Sequence, residues 1–335
     1  MLLLAESDLH LLICISYVKK IPQKEYVIIW LGNSQSFAFN YFEKFYNIKN
    51  LETSGLNFFN VEKINSWYNS NIHIDVRILA TFYDTHYIFE YLKFKLDIKW
   101  KNVYLIDDGI GSLFRVSMPK LFRRIPKAVY NLFLCRFGVN LSYYSLGSNK
   151  KIENFITIFP IFLNFENLES RIEDVQDYFK QSLKELSLSF FKDDEFRFVS
   201  GSIITLSPVL KYKRQTPQYV SEYLKDLINY CDKSLPIYLK PHPRDDKEKL
   251  KEVLSQLDYP VQIINSPVPL ELFFENMENA MLIGMPSTSF CIASLLYTNA
   301  SSKILICREK NDPFPKRIAV LESIFKSQNT NYEIL

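Results

Sequence analysis

Short apolar runs alternate with longer stretches of mixed polarity along the first hundred residues. LLLAE (2–6) and YVIIWLG (26–32) are too short for helices and apolar on both faces, the pattern of buried parallel strands. Between them, residues 9–19 carry a helical pattern. HIDVRIL (73–79) and KNVYLID (101–107) read as two further strands, separated by a helix within YDTHYIFEYLKFKLDI (83–98). This βαβ rhythm predicts a parallel sheet with helices on both faces.

The pattern then changes. ENLESRIEDVQDYFKQSLKELSLSFFKDDEF (166–196) is charged and free of Gly and Pro, and reads as a helix and linker. Strands restart at SIITLSPVL (202–210) and continue at PIYLKPHP (236–243), VQIINS (261–266), AMLIGMPS (280–287) and KILICRE (303–309). Helices are expected within 217–233, 269–277 and 289–298. The chain therefore divides into two α/β units, 1–195 and 196–335, and 335 residues suit two domains. No internal repeat is visible.

Composition narrows the class. With 47% apolar and 23% charged residues the chain is globular, and a formal charge of +3 gives no field for nucleic-acid binding. Cys14, Cys135, Cys231, Cys291 and Cys307 are odd in number and lack a CxxC spacing, which argues for a reducing compartment and against a structural zinc site. The apolar opening lacks a basic start, contains Glu6 and Asp8, and is expected to be a strand and helix rather than a signal peptide. No apolar run reaches the roughly 18 residues of a spanning helix.

Ligands of open parallel sheets bind beyond the carboxyl ends of the strands. Four places there carry chemistry. YLIDDGIGS (104–112) ends a strand on Asp107 and Asp108 before Gly109, where a carboxylate could act as general base while its neighbour orients it. A tight turn or a metal-binding pair are the alternatives. Adjacent side chains diverge, which favours a site without metal. YLKPHPRDD (238–246) holds His242 between two prolines, a rigid mount for a hydrogen-bond donor or merely a stiff loop. Ser287, Thr288 and Ser289 open a helix after a strand, either as ordinary caps or as an anion site. Glu271 lies in the first turn of another helix, where it complements the dipole or accepts from sugar hydroxyls.

In order and spacing these features resemble the bacterial sialyltransferases, in which a D/E-D/E-G motif precedes an H-P and then a Ser-Ser/Thr motif. Here they stand as DDG (107–109), HP (242–243) and ST (287–288). The opening LLLAESDLHLL (2–12) looks like that of the family 52 lipooligosaccharide sialyltransferases, and ITLSPVL (204–210) resembles the strand that begins their second domain. The family 38 polysialyltransferases share the motifs and are the near alternative. Two Rossmann-like domains whose parallel sheets face across a cleft are the plan of the GT-B glycosyltransferases, although flavoproteins and other enzymes also pair such domains.

The resemblance implies inverting transfer of sialic acid from CMP-sialic acid to a terminal galactoside of a lipooligosaccharide or capsule glycan. Asp107 would be the base, with Asp108 and Gly109 shaping its turn. His242, supported by Pro243, would stabilise departing CMP. Lys240 would approach the cytidine or phosphate, Glu271 the ribose, and Ser287 and Thr288 the phosphate. Neither metal nor cofactor is expected. The alternatives are an α-2,8-polysialyltransferase, a transferase of another CMP-nonulosonate or Kdo, and a non-catalytic nucleotide- or glycan-binding module. Asp8-Leu9-His10 stands where many relatives have a Pro-Leu-Gln-like turn, so His10 either touches substrate or packs. His73 and His86 are expected in core elements. Basic residues interleave with apolar ones in 117–136, at Lys120, Arg123, Arg124, Lys127 and Arg136, giving a solvated helix face or a contact with an anionic membrane or lipid-linked acceptor. The expected location is cytoplasmic, peripheral to the inner membrane face, with a homodimer left open.

Overall fold

The computed structural model describes residues 1–22, 24–32, 39, 46, 48–50, 61–82, 87–107, 152, 154–160, 171–190, 201–205, 216–241, 245–264, 268–276, 280–296, 302–307 and 316–335. The chain forms two compact units, Met1–Ser182 and Leu183–Leu335. The expected division at 195/196 lies outside the described residues.

The first unit is built on a parallel sheet: β1 (Leu2–Ala5), β2 (Val27–Trp30), β3 (Ile48–Asn50), β4 (Leu79–Thr81), β5 (Val103–Ile106), β6 (Asn154–Thr157) and β7 (Arg171–Asp174), in spatial order β3-β2-β1-β4-β5-β6-β7. Leu2 sits between Val27 and Leu79 in register. The apolar runs of β1, β2 and β5 are buried throughout because helices cover both faces of such a sheet.

Helix α1 (Asp8–Lys20) follows β1. Ser7 caps it, its Oγ accepting from the His10 N–H, and Asp8 and Lys19–Lys20 match the helix dipole at opposite ends. Every residue from His10 to Val18 is buried, as in a helix enclosed by core. Lys20 Nζ donates to Glu173 Oε2 at 2.9 Å and ties the end of α1 to β7.

Three observations depart from expectation. HIDVRIL pairs only from its last residues, because β4 lies between β1 and β5 and is enclosed on both faces, whereas Asp75 and Arg77 form an exposed ion pair. His73 is exposed beside the Ser70 carbonyl after helix α2 (Val61–Asn71), not in the core. The charged stretch read as helix and linker also contains β7, an edge strand whose Arg-Ile-Glu-Asp sequence hides it from an apolar-run criterion. Helix α3 (Tyr87–Lys95) forms as expected, and α4 (Gln176–Phe190) follows β7. His86 lies outside the described residues.

The second unit carries β8 (Gly201–Thr205), β9 (Ile237–Lys240), β10 (Gln262–Ile263), β11 (Ala280–Gly284), β12 (Lys303–Ile306) and β13 (Tyr332–Ile334), all parallel, in order β10-β9-β8-β11-β12-β13. Helix α5 (Pro217–Ile228) starts on a Thr216 cap with Pro217 in its first turn, and α6 (Lys247–Ser255) on an Asp246 cap. A core of Ile204, Val220, Leu224, Leu239, Val253 and Ile283 joins these helices to the sheet. PLELFFENM winds as a 3-10 helix (Leu270–Asn276) rather than an α-helix. Helices α7 (Thr288–Leu296) and α8 (Lys316–Ser327) complete the unit.

Each sheet grows outward from its first strand in both directions. Its crevice at the carboxyl ends therefore opens beside that strand, between β1 and β4 in one unit and between β8 and β11 in the other.

Candidate functional site

In the first unit the carboxyl ends of β1, β4, β5 and β6 gather four residues. Asp107 follows β5 directly, and its N–H donates to the Ile156 carbonyl at 2.9 Å, so the backbone keeps its ladder position. The side chain is only 5% exposed. Burying a carboxylate demands donors. Thr157 supplies one: its hydroxyl donates to Asp107 Oδ2 at 2.8 Å, and its own oxygen accepts from the Phe159 N–H at 2.9 Å. Nothing in the motif reading pointed to Thr157. Its only sequence signal is a hydroxyl at the end of β6, a strand outside the apolar runs of the sequence analysis.

His10 and Phe82 occupy the crevice between β1 and β4. Their rings stack with centroids 4.3 Å apart, and His10 Nδ1 accepts from the Glu6 N–H at 3.4 Å. His10 is 3% exposed, and these contacts are those of a packed side chain at the switch point.

In the second unit the ends of β9 and β11 bring most of the described candidates together. Lys240 is the last residue of β9, its Nζ 5.8 Å from the centre of the Phe273 ring. Burial pushes its ammonium down to about 8, and the negative charge of Glu271 opposes that shift. Glu271 lies on the 3-10 helix, and its Oε1 accepts from the Ser289 hydroxyl at 2.7 Å. That bond links the 3-10 helix to the first turn of α7. A lysine, a carboxylate and a hydroxyl distant in sequence thus share one place.

Gly284 ends β11 with φ of 156°, a conformation that favours glycine, and the chain then turns into α7. Ser287 precedes that helix, and its hydroxyl oxygen is buried with no hydrogen-bond partner among the described residues. A buried hydroxyl left without a partner costs about 1–3 kcal/mol, which a ligand oxygen would recover. Thr288 is the first helical residue. A helix N-terminus with such a hydroxyl has the chemistry of an anion site. Ser289, the third hydroxyl of this Ser-Thr-Ser run, is expected from sequence at the helix start; its pairing with the distant Glu271 is visible only in the fold.

Asp108, Gly109, His242, Pro243 and the basic segment 117–136 lie outside the described residues. Among the described residues no group of three or more His, Cys, Asp or Glu is arranged to hold a metal ion. The described cysteines are buried and none is in a disulfide. Burial drives Cys14 and Cys231 upward and Cys307 up to about 11, so each is a thiol near neutrality rather than a nucleophile. A groove of about 460 Å³ between α5 and α6 is lined by Thr216, Ser221, Glu222, Lys225 and Glu252, and by none of the expected site residues. No described helix is long and apolar enough to cross a membrane.

The family model described as alpha-2,8-polysialyltransferase matches residues 6–304. No curated protein matches the sequence. UDP-GlcNAc 2-epimerase from Methanocaldococcus jannaschii is similar in structure, with a TM-score of 0.55 and 15% identity over 100% of this chain and 87% of that one. The MnaA–UDP co-structure from S. aureus is similar with a TM-score of 0.53 and 9% identity, over 98% of this chain and 86% of that one. Together with the two parallel sheets, these likenesses show a GT-B fold of two Rossmann-like units. The fold does not choose between transfer and epimerisation.

Proposed function

The chain belongs to the alpha-2,8-polysialyltransferase family, and on that premise we propose that it moves sialic acid from CMP-sialic acid to a hydroxyl of an already sialylated glycan. The family is the one that the motifs placed as near alternative to family 52. At the coarser level the chain is a glycosyltransferase of sialyltransferase type.

In the proposed mechanism Asp107 takes the proton of the acceptor hydroxyl. The acceptor oxygen forms its bond to the anomeric carbon as the bond from that carbon to the CMP phosphate oxygen breaks. Attack opposite the leaving group inverts the centre. The phosphate gains one negative charge as it departs. Lys240, the Ser287 hydroxyl and the N–H groups opening α7 are the donors that meet this charge, and one well-placed donor contributes about 3–4 kcal/mol. Glu271, oriented by Ser289, accepts from the ribose hydroxyls. His242 serves as a further donor to the phosphate. A base at the right distance contributes about 10² to 10⁴-fold. No step calls for a metal or cofactor.

The observation that carries the donor-site reading is the Ser287 oxygen, buried and without a hydrogen-bond partner among the described residues, at the start of α7 beside the Glu271–Ser289 pair. A second reading keeps a terminal galactoside as acceptor, favoured by the likeness of residues 2–12 to the family 52 opening. Chain extension or galactoside transfer places the protein at the cytoplasmic face of the membrane, with segment 117–136 as the contact. Unchanged liposome pelleting by an Arg123→Glu/Arg124→Glu variant would remove that contact from the reading.

The test is CMP release from CMP-sialic acid in EDTA, with sialyl-lactose and lactose as separate acceptors and Asp107→Ala beside wild type. Turnover with sialyl-lactose that survives EDTA and drops by about 10²-fold or more in the variant is expected. Preference for lactose selects the galactoside reading. Loss of turnover in EDTA makes the reaction metal-dependent, and a fully active variant places the base elsewhere. CMP binding without turnover on either acceptor favours a binding module.

A further inference from the structure

We propose that Thr157 is a positioning residue for Asp107, holding the carboxylate ionised and in one rotamer for proton abstraction. The inference rests on the reading of Asp107 as the base. It starts from strand register. Ile106 pairs with Ile156, which sets Asp107 and Thr157 side by side just where β5 and β6 end. Both are 5% exposed, so water cannot substitute freely for either partner.

The hydrogen bonds around Thr157 have a defined sense. A hydroxyl has one proton to give. Phe159 N–H donates to Thr157 Oγ1 at 2.9 Å, and the Thr157 proton then goes to Asp107 Oδ2 at 2.8 Å. The backbone leaves little slack, because the Thr157 carbonyl accepts from the Val175 N–H at 3.0 Å and carries the ladder on to β7. A β-branched side chain on such a backbone has few rotamers. The amide behind the hydroxyl polarises it and strengthens the bond it donates.

Two consequences follow for a buried base. Burial alone favours the protonated acid, which cannot accept a proton; a donor aimed at the carboxylate favours the ionised form. The same bond fixes the plane of the carboxylate. Misplacing a reacting group by about 1 Å can cost on the order of 10²-fold. Thr157 does not need to touch substrate for either effect.

The experiment compares Thr157→Val, Thr157→Ser and Asp107→Asn with wild type, using CMP-sialic acid and the better of the two acceptors. Initial rates, donor KM, CMP affinity and Tm are measured. Thr157→Val is expected to lower kcat by about tenfold to a hundredfold with donor KM and CMP affinity unchanged. Thr157→Ser, which keeps the hydroxyl and loses the methyl, is expected to stay within a few-fold of wild type. Should Thr157→Val not fold, Thr157→Ala serves in its place with the same expected loss. Wild-type kcat in the variant lacking the hydroxyl overturns the proposal, and so does an equal loss in Thr157→Ser, which would make the methyl packing the cause. A fully active Asp107→Asn overturns the base reading itself. An inactive Asp107→Asn beside a fully active Thr157→Val overturns only the role of Thr157.

Discussion

Lys240 offers a quantitative check on the donor site. Burial lowers its ammonium to about 8 while Glu271 works in the opposite direction. With a pKa of about 8, roughly nine-tenths of the free protein carries the charge at pH 7 and about one-tenth at pH 9. A phosphate monoester has its second pKa near 6, so CMP keeps a constant charge above about pH 7. If the phosphate binds the ammonium form, the apparent Kd for CMP rises by about tenfold from pH 7 to pH 9. Over the same range binding takes up a growing fraction of a proton, because the bound anion restores the charge. Calorimetric titration at several pH values, in two buffers of different ionisation enthalpy, reads both quantities. Lys240→Met is expected to bind more weakly and to show no such limb. In Glu271→Gln the charge that raises the Lys240 pKa is gone, so the limb moves to lower pH, whatever other contact the substitution removes. A flat wild-type profile, or a limb that moves upward in Glu271→Gln, refutes the reasoning. Stability follows the same linkage. Between about 8 and 10.5 the unfolded chain holds a proton that native Lys240 does not, so the unliganded fold gains stability as pH rises through that window.

Ser289→Ala removes the 2.7 Å bond to Glu271 and, with Glu271 on the ribose as proposed, is expected to weaken CMP by about tenfold while leaving inorganic phosphate unaffected. Equal losses for both ligands in a calorimetric comparison would put Ser289 on the phosphate instead. Gly32→Ala places a Cβ against the Glu6 carbonyl oxygen and 2.7 Å from the Trp30 ring, a clash with rigid backbone that is expected to cost about 1–3 kcal/mol. An unchanged Tm in a thermal melt would show that the turns after β1 and β2 separate easily.

Fold class was legible because its signals are local. Runs such as LLLA and VIIW are four residues long and apolar on both faces, which only an enclosed strand tolerates. Those signals also placed Asp107, Lys240 and Ser287 at strand ends, which is where a parallel sheet presents its chemistry. Apart from β10, the edge strands gave no such signal. β7 pairs on one side only, and its Arg-Ile-Glu-Asp sequence offers no apolar run to read.

Partnership between distant residues comes from the fold. Thr157 lies 50 residues from Asp107 and Ser289 lies 18 from Glu271, and no period or motif relates them. The fall of Lys240 to about 8 comes first from burial, which many distant side chains create together. The two sheets share one strand order, with neighbours added on both sides of the first strand, although the two halves of the sequence show no repeat. Sequence by itself determines which segments must be buried and where they turn, because one chain segment carries its own period and its own caps. Which buried segments meet is settled by closing long loops and packing whole faces at once, and that is where a carboxylate acquires its donor and a lysine its altered affinity for a proton.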